Sequence, residues 1–208
     1  MDYVKRTCRL DMDDLITNLR AKFDHPNPKK PQHSSHRHTS IIYGAKVQYA
    51  AENPTSPPLD STKKLRIQQL VGAICYYARD IDNKLLVALI KLAQQQSSPT
   101  DYANRDMLQL LDYLATYPNN GINYRSRNMI LAGHVDSDYF NVSQSRSRAE
   151  AQILLSEDVL KPLNNSPVLT IAKIIKNVMS SASDAELAGL FTITKEMVPL
   201  RQALIEMG

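Results

Sequence analysis

The sequence has no run of about eighteen apolar residues, the length a membrane-spanning helix requires. Its opening, Met1-Asp2-Tyr3-Val4-Lys5-Arg6, lacks the apolar stretch of a signal peptide. Cysteine is scarce. Cys8 and Cys75 are the only two, and they lie too far apart in sequence to form a metal-type pair. They read as free thiols in a reducing compartment, so the expected location is cytoplasmic or nuclear, with no membrane partner. No internal repeat is visible. What is present is ordinary for a globular protein: 43% hydrophobic and 22% charged residues in a chain of 208. That length allows one large domain or two small ones, each with a core. A net charge of +4 suits a nucleic-acid partner without requiring one.

Apolar spacing divides the chain into zones. Leu15, Ile16, Leu19 and Phe23 fall at helical spacing and predict a helix over 15–23. Residues 25–58 are rich in Pro, His, Ser and Lys, and Pro26, Pro28 and Pro31 break any helix there. The stretch reads as a linker or an extended crossing, with a short strand or turn within Ile41 to Ala51. Residues 60–117 predict a small helical bundle. Leu65, Ile67, Leu70, Val71, Ile74 and Tyr77 mark one helix, and Leu85, Leu86, Ala88, Leu89 and Leu92 a second. A third is opened by Thr100 and Asp101 as N-cap, carries Met107, Leu110, Leu111, Tyr113 and Leu114, and stops at Pro118.

Beyond the turn at Pro118-Asn119-Asn120-Gly121 the period shortens to that of strands. Four are expected: Ile122 to Tyr124, Met129 to Val135, Ala151 to Leu155, and Val168 to Ile175. Glu186 to Met207 then predicts a long helix, kinked at Pro199, burying Leu187, Leu190, Phe191, Ile193, Met197, Leu200, Leu204 and Ile205. The expected fold class is therefore α+β or α/β: a helical region, then a mostly antiparallel sheet and one long helix. The boundaries fall at 1–58, 59–118 and 119–208.

Two acids in this last region have the placement of a metal site. Asp136 follows the apolar strand Met129-Ile130-Leu131-Ala132-Gly133-His134-Val135, and Glu186 stands near the start of the final helix. A strand-borne Asp and a helix-borne Glu that converge can hold Mg²⁺ through carboxylate oxygens. Two such ions, roughly 3.5–4 Å apart, clamp the attacking and leaving oxygens of a phosphodiester. The plainer reading of the same acids is a strand end and a complement to the helix dipole.

From about Leu65 onward, several phrases occur together in order. They are Val71-Gly72-Ala73-Ile74-Cys75-Tyr76-Tyr77-Ala78, Leu111-Asp112-Tyr113-Leu114, His134-Val135-Asp136-Ser137-Asp138, Ser180-Ser181-Ala182-Ser183-Asp184-Ala185-Glu186, and Ala203-Leu204-Ile205-Glu206-Met207-Gly208. In order and spacing they resemble the C-terminal part of copia-type LTR retrotransposon polymerases. There a helical connection leads into a ribonuclease H domain, and the strand ends S-D-A-D before a helix opened by S-S-T-E-A-E. The resemblance implies a reverse-transcriptase remnant and linker over 1–58, a helical connection over 59–118, and an incomplete ribonuclease H-like mixed sheet with one helix over 119–208. It implies Mg²⁺ as cofactor, held by Asp136 and Glu186 as the catalytic acids, and an RNA–DNA hybrid as substrate. Asp138 and Asp184 correspond to helper or cap residues.

The departures matter too. The family's third and fourth metal-binding acids follow this helix and have no counterpart through Gly208, Asp184 replaces a Glu, and Pro199 stands where the family often has an aromatic. The expectation is that Asp136 and Glu186 lie within about 8 Å, near enough to share metal-bound waters, and that two acids of four cleave little.

Other residues read more plainly. Met12-Asp13-Asp14-Leu15 looks like a polymerase x-D-D, but a helix follows it, and Asp13 or Asp14 is better read as an N-cap. His25, His33, His36 and His38 have no ligand partners at metal spacing and belong to a solvated basic linker. Lys29, Lys30 and Arg37 in that linker, with Arg125, Arg127, Arg146 and Arg148 around the acids, are candidates to contact nucleic-acid phosphates. They are equally ordinary surface cations. Two functions follow: a retroelement-derived fragment that ancestrally hydrolysed RNA in hybrids, or a non-catalytic relic that binds nucleic acid or the rest of its parent polyprotein, or does nothing selected.

Overall fold

A computed structural model describes residues 1–37, 56–126, 128–142, 145–157 and 165–208. The Ile41 to Ala51 segment, His38 and Arg127 lie outside them. The fold is mixed α+β, with the strands in two small antiparallel sheets. The described chain forms two compact units, residues 9–37 with 56–122, and residues 1–8 with 123–208. The expected 1–58 segment is thus divided between the two. Strands β1 (Thr7–Asp11) and β2 (Gly121–Arg125) pair as a two-stranded sheet.

The helical unit holds α1 (Leu15–Lys22), α2 (Ser61–Asp80), α3 (Leu86–Gln95) and α4 (Asp101–Thr116). Asp60 starts α2 by accepting the Lys63 backbone N–H at 2.8 Å, which also lowers the pKa of its carboxyl. Ile67, Leu70, Ile74 and Tyr77 then recur on one side and are fully buried. They share a core with Leu89 and Leu92 of α3 and Met107, Leu110, Leu111 and Leu114 of α4. Leu65, expected on that face, is exposed. Asp14 does occupy the N-cap of α1, but it holds a left-handed backbone (φ 63°) and makes no side-chain capping bond. Thr100 at α4 likewise caps by position alone.

The proline-rich segment is no solvated linker where it is described. Residues 25–37 lie along α4 as an extended strap. His25 Nε2 meets Asp112 Oδ1 at 2.8 Å, Gln32 N donates to Thr116 Oγ1 at 2.9 Å, and His33 Nδ1 pairs with the Tyr117 hydroxyl at 2.5 Å. Prolines suit such a path because they remove donors that an extended chain would otherwise have to satisfy. The strap ends at Arg37, whose Nε donates to buried Asp106 Oδ1 at 2.6 Å while its guanidinium lies 4.2 Å from the Tyr102 ring centre. Lys91 Nζ approaches the other Asp106 oxygen at 2.8 Å and the same ring at 4.8 Å.

In the other unit, β3 (Ile130–Val142), β4 (Arg146–Ser156) and β5 (Pro167–Ile174) form an antiparallel sheet in the order β3-β4-β5. β3 and β4 extend further than the apolar residues alone predict. α5 (Ala182–Met207) crosses one face and runs through Pro199 as a single helix. It begins four residues before Glu186, where Ser181 accepts the Asp184 N–H at 3.1 Å. Ala151, Ile153 and Ile193 make the core, with Leu131, Val135, Leu169, Ile171, Met197 and Leu200 against it.

The face that α5 buries differs from the expected one. Ala185, Gly189 and Ile193 are buried, whereas Leu187, Leu190, Phe191 and Ile205 are exposed. Small residues win because the helix lies almost on the strand. A Cβ added to Gly189 would collide with Ser137 Oγ, and one added to Gly133 would sit 2.8 Å from Ile193 Cδ1.

Two outcomes test this packing. Asp106→Ala strands two cations against Tyr102 and lowers the stability of the helical unit by about 3 kcal/mol in urea denaturation. Gly189→Ala destabilises by roughly 1–3 kcal/mol through overpacking. In a Ser137→Ala background, where the obstructing oxygen is gone, the same change costs about 1 kcal/mol less or becomes stabilising through helix propensity.

Candidate functional site

Strand alternation decides what Asp136 can meet. Leu131 and Val135 pack into the core beneath α5, Gly133 faces Ile193, and Ser137 faces Gly189. Asp136, between Val135 and Ser137, therefore points to the opposite face of the sheet. Glu186 is exposed on α5, the helix that covers the other face. The expected convergence of Asp136 and Glu186 is thus corrected: the structure does not bring them together. A shift of one residue in the register of β3 would have reversed this.

The neighbours of Asp136 lie on β4. In the antiparallel register Asp136 stands opposite Glu150, and Asp138 opposite Arg148. Cross-strand partners share a face, so three carboxylates and one guanidinium occupy the open side of the sheet. Glu150 is half-buried, and burial pushes its carboxyl pKa up. Arg148 opposes that rise, with its Nη1 4.0 Å from Glu150 Oε1, while Asp138 and then Asp136 add to it by repulsion. Sequence reasoning missed Glu150 because the strand was begun at Ala151, one residue too late. The alternation of Arg146-Ser147-Arg148-Ala149-Glu150-Ala151 is the signal that extends it.

This arrangement does not fit the Mg²⁺ site that the resemblance implies. Among the described residues, no three His, Cys, Asp or Glu side chains are grouped so as to hold a metal ion. The open-face carboxylates have Arg148 among them, and the helix-borne acid is elsewhere. Asp184 belongs to the start of α5, where Ser180 Oγ donates to its carboxylate and Ser181 accepts its N–H. These bonds lower its pKa.

The basic candidates separate into two kinds. Arg37 is committed to Asp106 and Tyr102, and Arg148 is mostly buried beside Glu150, so neither presents a free charge to a phosphate. Lys29 and Lys30 are exposed in the helical unit. In the sheet unit, Arg125 is exposed and Arg146 half-buried, and the Arg125 backbone is pinned by Asn165, which accepts its N–H and donates to its carbonyl, each at 3.0 Å. Compared with protein-family models, with curated proteins and with solved structures, the chain finds no match in any of the three. Among the described residues, no helix is long and apolar enough to cross a membrane.

A carboxyl whose pKa is raised by folding contributes most stability below its unfolded pKa and loses it as pH rises through the folded value. The sheet unit should therefore weaken as Glu150 ionises. Asp138→Asn lowers the Glu150 pKa in an NMR titration, and Asp136→Asn does so by less. A Glu186→Gln change that moves Glu150 as far as Asp136→Asn would contradict the two-face assignment.

Proposed function

We propose that the chain is a non-catalytic fragment of retroelement-polymerase type, whose remaining capacity is weak, sequence-independent contact with nucleic acid. The ordered phrases of the sequence support the origin. So does the succession of three antiparallel strands and one long helix, the order the resemblance implies. The observation that carries the loss of catalysis is the placement of Asp136 and Glu186 on separate faces. Phosphodiester hydrolysis by two metals needs carboxylates that surround a common point. Here the nearest companions of Asp136 are a partly desolvated Glu150 and a cation, a set that satisfies its own charge.

What is left for nucleic acid is exposed cations, led by Lys29, Lys30 and Arg125. Such side chains position a backbone without reading bases. A labelled RNA–DNA hybrid with Mg²⁺ or Mn²⁺ should stay intact beyond the level seen with Asp136→Asn or Glu186→Gln. Robust cleavage that those substitutions abolish would overturn the proposal. Replacing Lys29 and Lys30 by Ala should flatten the dependence of log affinity on log salt by about 0.9 for each phosphate no longer neutralised. Arg37→Ala should instead change stability and leave that slope alone.

A further inference from the structure

The outward side of α5 carries a pattern that its packing on the sheet does not use. Leu187, Phe191, Thr194, Val198, Arg201 and Ile205 follow one another at steps of 4, 3, 4, 3 and 4 residues. A mean step of about 3.5 is the period of a two-helix seam, not of a helix lying on a sheet. The seam faces solvent: Leu187 is 66% exposed, Phe191 71%, Val198 64% and Ile205 62%. Leu190, Met197 and Leu204 run beside it at a strict seven-residue interval, on the flank towards the start of β3. There Met197, Val198, Leu204 and Ile205, with Met129 and Leu131, line an open cavity of about 910 Å³.

We infer that this face pairs with the same face of a second copy of the chain, the two α5 helices running antiparallel. The orientation follows from Arg201. A parallel pair would press Arg201 against its own copy in the middle of the seam. The antiparallel pair sets Arg201 over the Phe191 ring of the other copy, a cation–π contact made twice by symmetry. In the same register Leu187 meets Ile205, and Thr194 meets Val198, so every seam position has a complementary one. On the flank Leu190 meets Leu204 and Met197 meets Met197, which brings Leu190 of each copy to the other's cavity.

Lys195 approaches its counterpart on the remaining flank, where both ammonium groups reach water along their stems. Pairing two such faces removes on the order of 1,200 Å² from water, the lower end of specific interfaces, so a dimer of modest affinity is expected. An apolar stripe of this extent is more than a soluble monomer ordinarily leaves uncovered.

The test uses the full chain with Cys8→Ser and Cys75→Ser. Leu187→Cys and Ile205→Cys are prepared separately, then mixed and oxidised. The mixture should yield a disulfide-linked dimer, because antiparallel pairing places 187 of one copy beside 205 of the other. Leu187→Cys alone should give none, since its two copies lie about 27 Å apart along the helices. Cross-linking of Leu187→Cys alone would mean parallel pairing and would overturn the inference.

Val198→Glu, at an exposed position, should raise the dimer dissociation constant by about ten-fold or more in sedimentation equilibrium, with helix content by circular dichroism unchanged. An unchanged constant, or a wild-type chain that stays monomeric up to about 100 μM, would equally overturn it.

Discussion

Gly133 on the strand and Gly189 on the helix let the backbones of β3 and α5 approach to a distance that no larger residue permits. Most of the sheet unit follows from that approach. It selects Ala185, Gly189 and Ile193 as the buried stripe of α5 and turns the larger side chains of the helix outward. It also fixes which alternate residues of β3 are covered. Once Val135 and Ser137 lie under the helix, Asp136 has only the open face left, and its electrostatic company is drawn from β4. A steric condition at two glycines thereby decides a question of charge several residues away.

The helical unit was legible in the sequence to within a few residues, since α2, α3 and α4 each carry an apolar stripe at helical period. So was the succession of strands and a final helix. The strand ends were not. β3 continues through Asp136, Ser137 and Asp138, and β4 opens on Arg146, because hairpin pairing holds polar residues in a strand that hydrophobicity alone would cut short. That shortfall hid Glu150. The orientation of α5 was illegible for another reason: both sides of the helix are apolar, and only close packing, which rewards small residues, distinguishes them.

Cations were the hardest to read. Arg37 finds its carboxylate 69 residues along the chain, and Arg148 finds Glu150 only once the strand is formed. A positive net charge is therefore a poor guide to the charge presented at the surface. Part of it is neutralised within each unit, by Asp106 in one and by the open-face acids in the other. The same reasoning separates the two acids singled out by sequence. Their spacing along the chain carried no information about faces, and faces are what a metal ion would sense.

The strap along α4 bears on how the helical unit assembles. Its hydrogen bonds join residues far apart in sequence, with 87 positions between His25 and Asp112 and 84 between Gln32 and Thr116. Each closes a long loop, while the strap itself has no internal ladder to hold it in place beforehand. The groove it occupies exists only after α4 has formed and packed. Folding of this unit is thus expected to follow a definite order, with the bundle of α2, α3 and α4 assembling first from local contacts and the strap docking afterwards as a slower, late event.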